Sequence, residues 1–252
     1  VADWLALDSA PWLWLGVASF LTGFSKAGVT GLAPLVTVIF AKAAPGGPKR
    51  ALALIQPVLV VSDLAVYWRY RRELRRTSST KAPPALDIGL LSWTLLGVGL
   101  GQLSLGRIVD RTVRHVLAAV LASLLLSKAV GPVVGGSGLA LDRLLPSWAV
   151  GIACGCVSVL TNNAGVLVDM YLLSAAAADK NEYLLRRSSF LLVIAATKLA
   201  LHVATGMLPL DATVLHSMCL SAIALCGVPA GQAMARHIPQ RLFGAVSWSL
   251  VA

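Results

Sequence analysis

Charge is scarce in this chain. Of 252 residues only 13% are charged and 11 are acidic, against 57% hydrophobic and a mean hydropathy of +0.79. A soluble domain carries roughly 25% charged residues, so one water-exposed globule of this length is excluded. Histidine is equally sparse: His115, His202, His216 and His237 show no metal-ligand spacing. The four cysteines, Cys154, Cys156, Cys219 and Cys226, lie in apolar runs without neighbouring histidines or acids, and read as small packing residues. No nucleophile motif, paired catalytic carboxylate or phosphate loop occurs, so neither an enzyme nor an ATP-driven pump is expected, and no cofactor. The first residues, Val1 to Pro11, hold Asp3 and Asp8 and no basic stretch, so no cleavable signal is expected.

What the chain has instead is long hydrophobic runs. They are Pro11 to Lys26, Val29 to Ala44, Ala51 to Tyr70, Leu86 to Leu105 and Val113 to Val134. After the linker Gly135-Gly136-Ser137-Gly138 come Pro146 to Leu160, Val166 to Ala178, Phe190 to Ala204, Thr213 to Ala235, and Arg241 onward. About 20 apolar residues cross the ~30 Å hydrocarbon core of a bilayer as a helix. The expected fold is therefore an all-α polytopic membrane protein with the lipid bilayer as its surroundings. The net charge of +10 is no nucleic-acid signature, because the arginines gather in short segments between apolar runs, as topology determinants do.

Two of these runs end at polar, glycine-flanked breaks. The first is Leu21-Thr22-Gly23-Phe24-Ser25-Lys26-Ala27-Gly28-Val29-Thr30-Gly31, and the second is Ser158-Val159-Leu160-Thr161-Asn162-Asn163-Ala164-Gly165. A cation at bilayer depth costs about 2.5 to 3.5 kcal/mol on insertion scales, so Lys26 is expected to face a cavity or a partner. Broken helices at corresponding places in two halves are the sequence sign of a midplane transport site.

The halves repeat. Gly97-x-x-x-Gly101-Gln102 is matched by Gly227-x-x-x-Gly231-Gln232, Ile108 by Ile238 and Arg111 by Arg241. Gly16 and Ala18 correspond to Gly151 and Ala153, and Gly31 to Gly165. The expected division is a first repeat at residues 1–134, a linker at 135–145 and a second repeat at 146–252. Each repeat would hold one broken-helix hairpin plus three transmembrane helices. An odd number of crossings favours two inverted repeats over a parallel arrangement. The basic loop from Arg69 to Lys81 is expected in the cytoplasm. Alternation then puts Lys180 to Arg187 and Arg236 to Arg241 on the same side, and Arg107 to Arg114 and Gly206 to Asp211 opposite. Trp4, Trp12, Trp14, Trp68 and Trp148 fall near expected membrane ends.

The candidate site follows from the breaks. Lys26 would attract an anion, with Ser25, Thr22 and Thr30 as hydrogen-bond donors; the competing reading lets its ammonium snorkel to an interface. Thr161, Asn162 and Asn163 would complete an oxyanion cage, or else satisfy backbone groups at the kink. Gln56, Asp63 and Lys198 are intramembrane polar residues: Asp63 and Lys198 as an ion pair, Asp63 as carrier of a coupled proton, or Lys198 as a substrate contact. Gln102 and Gln232 are expected to mark close helix packing with an interhelical hydrogen bond.

The segment Phe20-Leu-Thr-Gly-Phe-Ser-Lys-Ala-Gly-Val-Thr-Gly-Leu-Ala-Pro34 resembles the TauE/SafE, or sulfite exporter, family of anion permeases. Lys49-Arg50, Ser62-Asp63-Leu64, Tyr67-Trp68-Arg69-Tyr70-Arg71-Arg72, Leu160-Thr-Asn-Asn-Ala-Gly165, Thr197-Lys198 and Ile238-Pro239-Gln240-Arg241-Leu242-Phe243 are similar to that family as well. The resemblance implies a secondary transporter in the bacterial inner membrane, exporting a small anionic substrate such as sulfite or an organosulfonate. A carboxylate permease, an uptake system and an uncoupled anion channel are the alternatives.

Overall fold

The computed structural model describes residues 9–28, 32–44, 46–77, 87–108, 111–112, 115, 146–162, 165, 167–169, 180–208 and 212–237. Among these residues every regular element is a helix. α1 spans Ser9–Ala27, α2 Ala33–Ala43, α3 Gly47–Thr77, α4 Ile88–Arg107, α5 Ser147–Thr161, α6 Lys180–Ala204 and α7 Ala212–His237. Three stretches, Lys49–Arg76, Ile88–Arg107 and Thr213–His237, are long and apolar enough to cross a membrane. The protein is an all-helical membrane protein. Most of the expected segments Val113 to Val134 and Val166 to Ala178, and all of Arg241 onward and the 135–145 linker, lie outside the described residues.

Local chemistry explains the helix ends. Asp87 caps α4 by accepting a hydrogen bond from the Leu90 backbone N–H at 3.0 Å, and Arg107 closes it where the helix dipole favours a cation. A proline in the first turn of α2 presets its backbone and has no N–H to leave unpaired. α5 stops at Asn162, whose φ of 57° is left-handed. Asparagine reaches that region more readily than other residues with a Cβ, and the Asn162 N–H bonds back to the Ser158 carbonyl at 3.0 Å.

Two charged stretches expected as loops are helical instead: Arg69 to Arg76 lies within α3, and Lys180 to Arg187 forms the opening turns of α6. Tyr183, Leu184, Leu185 and Arg187 are buried along it, so packing holds a stretch whose charge suggested solvent.

Glycine sets the tightest helix contacts. On α4 and α5, a Cβ at Gly97 would fall on the Ile152 carbonyl oxygen, and one at Gly155 on the Thr94 carbonyl oxygen. On α1 and α7, a Cβ at Gly23 would meet the Ala224 carbonyl, and Cβ atoms at Gly227 and Gly231 the carbonyls of Phe20 and Phe24. Backbones this close exclude any side chain, which is what small-xxx-small motifs provide in a membrane. In both pairs the contacts advance together along the two chains, so the paired helices run parallel.

α3 packs against α6, α7 and α1. Its bonds to α7 also advance in step: Ser217 Oγ donates to the Leu54 carbonyl, Arg69 Nη1 to Gln232 Oε1 at 3.2 Å, and Arg236 Nη2 to Glu73 at 3.2 Å. Against α6 the order reverses. Gln56, early in α3, and Lys198, late in α6, both bond Asn162 Oδ1, whereas Tyr183, Leu184 and Leu185, early in α6, cluster with Val66, Tyr70 and Leu74, late in α3. α3 and α6 thus pass each other in opposite directions.

The glutamines of the repeated motif bond between helices as expected. Gln102 Nε2 donates to Thr205 Oγ1 at 3.0 Å, and Gln232 Nε2 to Glu73 Oε2 at 2.8 Å.

Candidate functional site

The two breaks meet on a cavity of about 40 Å³, measured as space open to the centre of a water molecule. About 10 to 15 Å³ of such space holds one water, so the cavity accommodates a few waters or one small anion. Thr22, Ser25 and Lys26 from the first break line it, with Asn162 and Gly165 from the second. Ile55 and Leu59 of α3, Leu191 and Arg187 of α6, and residues of α2 complete the wall. Leu59 lies about midway between Arg50 and Arg69, the charged residues that bound the apolar part of α3.

Lys26 does not snorkel. Its Nζ donates to Asp63 Oδ2 at 2.6 Å, with the carboxylate side chain 1% exposed. Asp63 Oδ1 is buried without a hydrogen-bond partner among the described residues. The ion pair expected between Asp63 and Lys198 is therefore corrected: α1 ends beside the middle of α3 and delivers Lys26 to the carboxylate first.

Lys198 goes to the second break. Its Nζ donates to the Ser158 carbonyl at 2.8 Å, to Ser158 Oγ at 3.2 Å and to Asn162 Oδ1. Three acceptors use the three N–H groups of an ammonium, and one of them is a carbonyl of the last turn of α5, where the helix dipole favours a cation. Gln56 Nε2 also donates to Asn162 Oδ1, at 2.6 Å, and to the Leu52 carbonyl at 3.1 Å. Two donors on Oδ1 fix the orientation of the Asn162 amide. Its Nδ2 is then a buried donor with no partner among the described residues, on a side chain that lines the cavity.

The two break-to-helix links are spaced alike. Lys26 and Asp63 are 37 residues apart, Asn162 and Lys198 are 36. Their polarity is exchanged, with the cation on the break in the first half and on the long helix in the second.

The sequence reading missed Arg187, Asp169 and Tyr183. Arg187 Nε and the Tyr183 hydroxyl both donate to Asp169 Oδ1, the latter at 2.9 Å, and all three side chains are buried. One N–H of the guanidinium is engaged there, leaving others for a ligand. The signal was present: Tyr183, Arg187, Leu191, Ile194, Lys198 and His202 recur every three or four residues, which places them on one face of a helix.

Two expected donors are spent elsewhere. Thr22 Oγ1 donates to the Ala18 carbonyl and Thr161 Oγ1 to the Val157 carbonyl, each at 2.8 Å. A hydroxyl has one proton, so neither threonine donates it to an anion in this arrangement. Ser25 lines the cavity. Thr30 and Asn163 lie outside the described residues.

The assembled donors are an ammonium, a guanidinium and an amide N–H2 around a small space, a set that suits an oxyanion. Compared with protein-family models, with curated proteins and with solved structures, the chain matches none.

Proposed function

We propose that this protein is a secondary transporter of small sulfur-containing anions, sulfite or an organosulfonate, working by alternating access around the cavity between the two breaks. The observation that carries this reading is the convergence of Lys26, Arg187 and the unspent Asn162 Nδ2 on one small space in an apolar protein. Cations in such surroundings are expensive and mark a ligand path. The sulfur chemistry and the outward direction rest on the resemblance of the break motifs to the TauE/SafE family, and a bacterial inner membrane location rests on the same ground.

Two inverted repeats belong to this proposal. Exchanging the halves exchanges α1 with α5 and α4 with α7, so the glycine-packed pair α1 with α7 becomes α5 with α4. The remaining equivalents, α3 and α6, run antiparallel, the relation expected of repeats inserted in opposite senses. Repeats of this kind transport by rocking about a fixed centre, and the cavity lies where the two halves touch.

Purified protein is screened by thermal unfolding against sulfite, methanesulfonate, thiosulfate and acetate. A ligand at 100 times its dissociation constant stabilises by about 2.7 kcal/mol. Stabilisation by sulfite or methanesulfonate beyond acetate is expected. Preference for acetate would move the protein to the carboxylate permeases, and no response to any anion would remove the reading.

A further inference from the structure

Among the described residues the charges around the cavity do not cancel. Among the described residues, Lys26, Arg187 and Lys198 supply three cations, and Asp63 and Asp169 two carboxylates. Three minus two leaves one positive charge. These groups form one electrostatic cluster, because Asp63 feels Lys26, Arg187 and Lys198 and Asp169 feels Arg187 and Lys26.

Geometry supports each charge. Lys26 holds Asp63 at 2.6 Å. Asp169 accepts from both Arg187 and Tyr183, as a carboxylate does. Lys198 has three acceptors and, among the described residues, no carboxylate partner, so within that set it is the uncompensated cation. Asn162 bonds Lys198 through Oδ1 and turns its free Nδ2 donor to a ligand.

Resting on the transporter reading above, we infer that the cavity takes one monovalent oxyanion per cycle, and that its passage carries one net charge with no accompanying proton. One monoanion neutralises the surplus. A dianion would leave an excess negative charge in a low-dielectric interior, where unpaired charge is costly. The occupied site is then neutral and the empty one positive, so each turnover moves one negative charge. An inside-negative membrane drives that charge outward, the direction the family resemblance implies. Each 100 mV is worth about 45-fold in anion concentration. Asp63 in this scheme stays an anion throughout, as the counter-charge of Lys26.

The test uses the full chain in proteoliposomes, with methanesulfonate as monoanion and sulfate and thiosulfate as dianions. A potential is imposed with potassium and valinomycin, and current and internal pH are recorded together. Methanesulfonate is expected to give current, to accumulate about 45-fold per 100 mV and to leave internal pH unchanged. Sulfate and thiosulfate are expected to bind at least 10-fold more weakly. Asp63→Asn raises the surplus to two, and should shift the preference toward the dianions; Lys198→Gln removes the surplus, and should abolish preference for any anion. Silent transport of methanesulfonate, a proton moved with each anion, or equal binding of both valences by the unmodified protein would overturn the inference while leaving a transporter. Absence of binding by every anion would instead overturn the transporter reading and the inference with it.

Discussion

Asn162 has two roles that substitution can separate. Its backbone occupies the left-handed region that ends α5, and its side chain joins Gln56, Lys198 and the cavity. Asn162→Gly keeps the backbone at ease and deletes the side chain. Gln56 Nε2 then retains the Leu52 carbonyl, and Lys198 retains both atoms of Ser158. What is lost is one of three acceptors for a buried ammonium, worth about 1 to 3 kcal/mol. Asn162→Ala loses the same acceptor and also holds a Cβ in the left-handed region, at about 1 to 2 kcal/mol more. Unfolding in detergent should therefore rank the native protein above Gly, and Gly above Ala. Methanesulfonate affinity should fall by a similar factor in both, because both lack Nδ2. Asn162→Asp completes the comparison: its carboxylate cancels the surplus charge beside Lys198, so the protein should remain folded and lose the anion. Equal stabilities of Gly and Ala would refute the backbone account. Native affinity in Asn162→Asp would refute the placement of the anion.

On the proposed function, Lys26→Gln should lower anion affinity by about 10- to 150-fold, the worth of a charge-assisted hydrogen bond of about 1.5 to 3 kcal/mol; it also strands the Asp63 carboxylate, at about 3 to 5 kcal/mol of stability. The double change Lys26→Gln with Asp63→Asn leaves two cations and one carboxylate, restoring the surplus of one positive charge, so it should recover most of the stability and part of the affinity, as a melt and a binding titration on the same samples would report. Asp169→Asn leaves Arg187 without its carboxylate and should cost about 3 to 5 kcal/mol; a loss under 1 kcal/mol in chemical unfolding would contradict the buried pair. Gly155→Val drives a side chain into the Thr94 carbonyl and should prevent assembly of α4 with α5, whereas Gly99→Val, where a Cβ meets nothing within 4 Å, should leave the elution profile of the detergent-solubilised protein unchanged.

The helices were legible because hydropathy reports removal from water, whether into lipid or against protein. Pro11 to Lys26 became Ser9–Ala27, and Thr213 to Ala235 became Ala212–His237. The breaks were legible because Lys26 and Asn162 stand out against apolar neighbours, and the glycine motifs because backbone contact tolerates no other residue. Who pairs with whom was not. Asp63 chose between two lysines on the strength of where α1 stops, and that is set by packing between helices far apart in the chain. Arg187 was hidden for a different reason. It follows Glu182 and Arg186, which form a half-buried pair one turn apart at 3.5 Å, so the whole charged run looked like solvent. Only the helical stripe from Tyr183 to His202 separates its inward member from its outward ones.

The pairing of α1 with α7 has a consequence in time. Gly28 approaches Gly231, and at about 5 to 20 residues per second a ribosome makes the second some 10 to 40 seconds after the first. For that interval the membrane insertion machinery holds a helix whose glycine face has no partner. Asp63 arrives sooner, 37 residues after Lys26, within about 2 to 7 seconds at the same pace. The ion pair that frames the cavity in the finished protein is thus available first as a latch, holding α1 and its lysine to α3 while the rest of the chain is still being made.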